Sequence, residues 1–152
     1  MKPWLLPIAI VWMMSTAVAA DKKEAASSEQ QAGRVEQLKQ KIAHDSERDI
    51  CINSADLVRE LVEQFNNQMN AGELQPAQMT LDEIGAYSDK AREAAKNSHH
   101  KLKQAELTLH KSARRLADIG QALAVENRQA IDVVIKKIEA ADDDILNQVF
   151  KD

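Results

Sequence analysis

Residues 80–123, TLDEIGAYSDKAREAAKNSHHKLKQAELTLHKSARRLADIGQAL, decide the fold class. Leu81, Ile84, Ser88, Ala91, Ala95, Ser98, Leu102, Ala105, Leu109, Ser112, Leu116, Ile119 and Leu123 recur at alternating steps of three and four. That spacing places one side chain per turn on a single helical face, the a/d pattern of a helix-on-helix seam. Taken as one straight helix, residues 81–123 would be roughly 64 Å long at 1.5 Å per residue. Large side chains hold the ends of the seam and small ones its centre. The central positions Ser88, Ala91, Ala95, Ser98, Leu102, Ala105 and Leu109 are therefore the candidate interaction seam. Close approach of a partner helix is their simplest use.

Upstream stands the strongest punctuation after residue 20, Ala71-Gly72-Glu73-Leu74-Gln75-Pro76. Gly72 can adopt the left-handed conformation that ends a helix, and Pro76 cannot continue one. Thr80-x-x-Glu83 then has the form of a capping box opening the next helix. Before the turn, a helix over 34–70 is predicted from Val35, Leu38, Ile42, Ile50, Leu57, Leu61, Phe65 and Met69. Its stripe is weakest at Asp45 to Asp49. Downstream, Ile131, Val134, Ile138, Ala141, Ile145 and Val149 form a third stripe, shifted in phase around Glu126–Gln129. A break there gives a third helix over 128–149; a stutter would continue the second.

These elements predict an all-α domain, an elongated antiparallel helical hairpin or a three-helix coiled-coil-like bundle. Folding at about residue 75 sets Asp56, Glu60 and Glu63 beside the Tyr87–Lys96 region, and Asp45 to Asp49 beside Lys101–Ala105. Opposite charges would then orient the hairpin, at about 0–1 kcal/mol per exposed pair.

The first twenty residues carry an address. Lys2, the apolar run Trp4–Met14 and the small residues Ser15–Ala20 have the order of a cleavable secretory signal peptide over 1–20. Residues 21–33, DKKEAASSEQQAG, lack apolar periodicity and read as a flexible leader, leaving 34–152 as the helical domain. A periplasmic or secreted location after cleavage follows, with no stable membrane insertion. Without Lys2 the chain keeps 19 basic and 24 acidic residues. Mild acidity argues against nucleic acid as the partner. Phe65, Tyr87 and Phe150 are then its only aromatic residues, so an aliphatic, narrow core is expected.

Cys51 is the sole cysteine. Flanked by Ile50 and Ile52 it reads as a small buried hydrophobe, with an intermolecular disulfide as the alternative. His99, His100, His110 and Glu106 share the second helix, but His99 and His110 stand about 16 Å apart along its axis. That separation is too large for one ion, and no HExxH or CxxC spacing occurs, so neither metal nor cofactor is expected. Neither a GxSxG nor a glycine-rich phosphate loop is present, and catalysis is not expected. The basic stretch Lys90–Arg115 pairs most simply with the acidic first helix, and Asp142-Asp143-Asp144 with solvent.

Leu74-Gln75-Pro76-Ala77-Gln78 resembles, in one copy and with Gln75 in place of Thr, the Leu-Thr-x-x-Gln pattern of small periplasmic stress chaperones of the Spy type. The likeness spans five residues and transfers no function. The sequence thus points to an exported non-enzymatic helical interaction protein, an adaptor or immunity-type binder whose partner is another protein. A homo-oligomer through the helical seam is compatible with it. The alternatives are a periplasmic chaperone holding unfolded clients and a helical metal or ligand sensor.

Overall fold

The computed structural model describes residues 17–151, and the chain is all-α. Five helices occur among the described residues: α1 Ala17–His44, α2 Glu47–Asn70, α3 Leu74–Ala95, α4 Leu102–Ala122 and α5 Val125–Val149. Five replace the hairpin or three-helix bundle expected. Most of the expected signal peptide, residues 1–16, lies outside the described residues. Residues 21–33, expected as a flexible leader, are helical within α1.

Each difference has a local cause. The expected helix over 34–70 is two helices, parted at Asp45 and Ser46 where the apolar stripe is weakest. Ser46 is extended (ψ 150°) and its carbonyl accepts from Asp49 N at 3.0 Å. Asn53 donates to Asp45 and accepts from Lys41 Nζ at 3.0 Å, which ties the two arms of the turn together. α1 thereby folds back along α2: Gln31 donates to the Glu60 carbonyl at 3.2 Å, and Asn67 donates to Gln31 at 2.6 Å.

At the next turn Gly72 takes φ +75°, and Glu73 N donates to the Gln68 carbonyl at 2.9 Å. α3 opens at Leu74, six residues before the expected capping box. Pro76 sits in its first turn, where a missing N–H removes no helical bond. Thr80 and Glu83 are consequently inside the helix. Thr80 donates to Gln68 at 2.7 Å, and Glu83 binds Lys39 of α1 at 2.7 Å.

The long seam breaks in the middle. Lys96–Lys101 form a loop of residues with indifferent helix propensity, Asn97, Ser98, His99 and His100. Ser98 is buried and donates to the Arg48 carbonyl at 2.8 Å, which anchors the loop on the start of α2. Lys101 closes the loop at φ 56°. A side chain in that left-handed region costs about 1 kcal/mol, so Lys101→Gly is expected to raise stability by about 1 kcal/mol, seen as a higher Tm. No gain, or a loss, would mean that the lysine side chain itself holds the loop.

The last break lies at Leu123 and Ala124, both extended, a little before the phase shift at Glu126–Gln129. It needs no proline because Arg128 donates to the Gln121 carbonyl at 3.1 Å and to the Leu123 carbonyl at 3.1 and 3.2 Å. The guanidinium takes the place of the next helical turn for the terminal carbonyls of α4.

α2 and α3 form one antiparallel hairpin, and α4 and α5 a second. The hairpins stack so that α2 packs on α4 and α3 on α5, while α3 and α4 meet only across the diagonal. Ion pairs and one histidine–carboxylate hydrogen bond join the hairpins in parallel register. Asp49 meets His100 at 3.0 Å, Glu63 meets Arg115 at 2.8 Å, Asp89 meets Lys137 at 3.4 Å, and Arg92 meets Asp144. These pairs span 48 to 52 residues, the offset between one hairpin and the next. The charge matching expected within the α2–α3 hairpin is therefore between hairpins instead, and Asp56 pairs with Arg59 of its own helix at 3.3 Å. The core is aliphatic: Leu57, Leu61, Ile84, Leu109, Leu116, Ile138 and Ile145 are fully buried, and Phe65 is its one buried aromatic member among the described residues.

Candidate functional site

All seven residues of the candidate seam are buried, at 0 to 4% exposure. Ser88, Ala91 and Ala95 lie on α3, Ser98 in the loop, and Leu102, Ala105 and Leu109 on α4. The small side chains among them, Ser88, Ala91, Ala95 and Ala105, let helices of the same chain approach one another, and Ser88 donates its hydroxyl to the Ile84 carbonyl at 2.8 Å. The seam is internal packing and not a surface. A homo-oligomer through it would require the bundle to open.

Cys51 is fully buried on α2, and burial pushes its thiol up to about 11. The thiolate, the species that attacks a disulfide, is correspondingly scarce at neutral pH. An intermolecular bridge at Cys51 is sterically closed in this fold.

The histidines disperse over the bundle. His100 binds Asp49 between the hairpins, His110 Nδ1 lies 3.1 Å from Asp142 Oδ2 between α4 and α5, and His99 is exposed. Among the described residues, no three His, Cys, Asp or Glu side chains converge as metal ligands.

Asp142 is the most unusual polar group. It is 8% exposed, and its Oδ1 is buried without a hydrogen-bond partner. Burial raises its carboxyl above the ordinary range, and the charges of Glu106 and Asp143 add to the rise. The His110 hydrogen bond and charge oppose it. A carboxyl with a raised folded-state pKa makes the native state less stable as it ionises. Wild type should therefore lose stability relative to Asp142→Asn as pH rises from about 4 through the Asp142 titration. Thermal melts of both proteins from acid to neutral pH check the sign. A difference that stays constant would mean Asp142 is not perturbed.

Two of the depressions on the surface of the described residues bear on binding. The larger, about 370 Å³, lies between α1 and α2 and is lined by Arg34, Gln37, Leu38, Lys41, Arg59 and Glu60. Charged residues of both signs ring it, and Leu38 is its single large apolar residue. The smaller, about 250 Å³, sits where the two hairpins meet at their turn end. Phe65, Leu81 and Ile131, buried to within 3% of complete, make its floor. Met69, Leu74, Gln78, Asn127 and Ala130 complete the wall. Leu74 is 62% exposed on the rim, and Val125, the first residue of α5, is 74% exposed. Barely exposed apolar side chains at the floor, Leu74 on the rim and the amides of Gln78 and Asn127 at the edge make it a small depression of mixed polarity.

Of these groove residues, Phe65, Met69, Leu81 and Ile131 are legible as stripe members in the sequence, and the groove is not. Leu74 was its only signal, an apolar residue in a turn and off every stripe. The chain is thus defined as an all-α two-hairpin bundle with a small depression of mixed polarity where the hairpins meet. No family model, curated protein or solved structure matches it. No helix among the described residues is long and apolar enough to cross a membrane.

Proposed function

We propose that this is an exported, non-enzymatic helical interaction protein that receives an apolar side chain or short helical segment of another protein in the groove between its hairpins. The carrying observation is the combination of a buried floor, Phe65, Leu81 and Ile131, with Leu74 exposed on the rim. A leucine in water beside a depression with apolar side chains at its floor gives a partner apolar area to cover. Export rests on the order of charge, apolar run and small residues over 1–20. An adaptor and an immunity-type binder share this chemistry.

A photo-reactive amino acid at position 74, with position 133 as control, tests the reading in extracytoplasmic fractions. One discrete adduct at 74, absent at 133 and lost on Leu81→Asp at the floor or Gln78→Arg at the wall, is the expected result. No adduct at 74, or equal labelling at both positions, overturns it.

A chaperone holding unfolded clients is the second reading. Met79, Val133 and Phe150, exposed at 69%, 54% and 81%, favour it because they lie on faces away from the groove. It predicts many weak adducts at every position and suppressed aggregation of unrelated proteins.

A further inference from the structure

We propose that a second copy of this chain docks on the outer face of the α4–α5 hairpin, about a twofold axis parallel to the helices that sets α4 of one copy against α5 of the other. On α4, Lys103, Leu107, His110 and Arg114 are exposed and recur at steps of four, three and four. On α5, Asp132, Lys136, Glu139, Asp143 and Leu146, with Phe150 at its C-cap, are all exposed and continue the same alternation. Steps of three and four put each series on one face of its helix, and that face lies on the solvent side and carries charged residues together with Leu107, Leu146 and Phe150. The inward stripes are filled by the chain itself, whereas the outward pair is uncovered.

The heights of the residues match across such an axis. His110 lies beside Asp142, which fixes the level of α4 against α5. Four residues on from His110 is Arg114, and three residues back from Asp142 is Glu139, so these two are level. Three back from His110 is Leu107, and four on from Asp142 is Leu146, so these are level also. Rotation about an axis along the helices preserves height. It brings Arg114 to the partner's Glu139, and Leu107 to the partner's Leu146, twice in each dimer as an isologous contact requires.

Charge selects this axis over its rival. Lys103 and Arg114 make the α4 stripe basic, while Asp132, Glu139 and Asp143 make the α5 stripe predominantly acidic. A twofold axis across the helices would set basic α4 on basic α4. The axis along them sets basic on acidic, and like charges are avoided. Between the hairpins of one chain, Arg115, Arg92 and Lys137 have ion-pair partners. On the outer face Lys103, Arg114 and Glu139 form no ion pair among the described residues. Leu107, Leu146 and Phe150, exposed at 47%, 36% and 81%, supply the apolar part. Three large apolar side chains make a small interface, and a dissociation constant in the micromolar range is expected.

Sedimentation equilibrium of the purified protein under reducing conditions tests this. A reversible dimer is expected, weakened about tenfold or more by Arg114→Glu and by Glu139→Arg, and restored by the two together. Phe150→Ser, at a position too exposed to endanger folding, should weaken it as well. Circular dichroism melts unchanged from wild type confirm that the variants are folded. A wild type that stays monomeric at hundreds of micromolar overturns the proposal. So does a dimer indifferent to both single charge reversals, or one that the double reversal does not restore. The groove reading is independent: its adduct at position 74 is read on a different face.

Discussion

Leu61→Ala is expected to lower the unfolding free energy by about 2–5 kcal/mol, the range for removing a fully buried leucine from a close-packed core. Leu61 has no exposed surface and lies on α2, the helix that packs against α1, α3 and α4 together. A cavity there opens against three neighbours, none of which can move in without losing its own contacts. Domains of this size have about 5–15 kcal/mol in total, so the loss is a large part of the whole. Urea denaturation followed by circular dichroism measures it. Leu74→Ala is the internal control: the same atoms removed at 62% exposure should change stability by no more than about 0.5 kcal/mol. Equal effects at the two positions would contradict the placement of α2 at the centre.

Ala105→Leu is expected to destabilise by about 1–3 kcal/mol, through overpacking. Ala105 is fully buried on α4, where small side chains let the helices approach. An isobutyl group in place of its methyl has no void to enter, and rigid neighbours must shift or take poor rotamers. The sign carries the information. An extended hairpin with an open seam would accept leucine at an a/d position and gain from it, whereas the closed bundle must lose. The same denaturation experiment distinguishes them, and a rise in stability would sink the closed-bundle account of these small residues.

Function was less legible than fold. The buried seam looked like an interface because Ser88, Ala91 and Ala95 are small at a/d spacing, and small a/d residues are equally what a chain needs to pack upon itself. Leu74, Leu107 and Phe150 bear on partners, yet each falls off the inward stripes, and off-stripe apolar residues are ordinary on protein surfaces. What distinguishes them is neighbourhood. Leu74 borders Ile131 only because the second hairpin returns to the turn end of the first. Leu107 is level with Leu146 only because α4 and α5 are antiparallel in the register set by His110 and Asp142.

The sequence by itself determined what depends on a few consecutive residues: the all-α class, the turn at Gly72, the burial of Cys51 and an aliphatic core. It also marked Asp45–Asp49 as the weak place where α1 and α2 part. Only the tertiary structure decided that the long seam folds back at Lys96–Lys101. Three-four periodicity describes which face of a helix is apolar, and it stays in phase from Ala95 through Ser98 to Leu102 although the helix does not. A straight helix there would keep its hydrogen bonds but leave Leu109 and Leu116 far from α2. The loop gives up a helical turn and places Lys101 at φ 56°. In exchange α4 and α5 stack on α2 and α3, and both leucines become fully buried. Burial of two such side chains, at about 1.5–3 kcal/mol each, outweighs the left-handed residue.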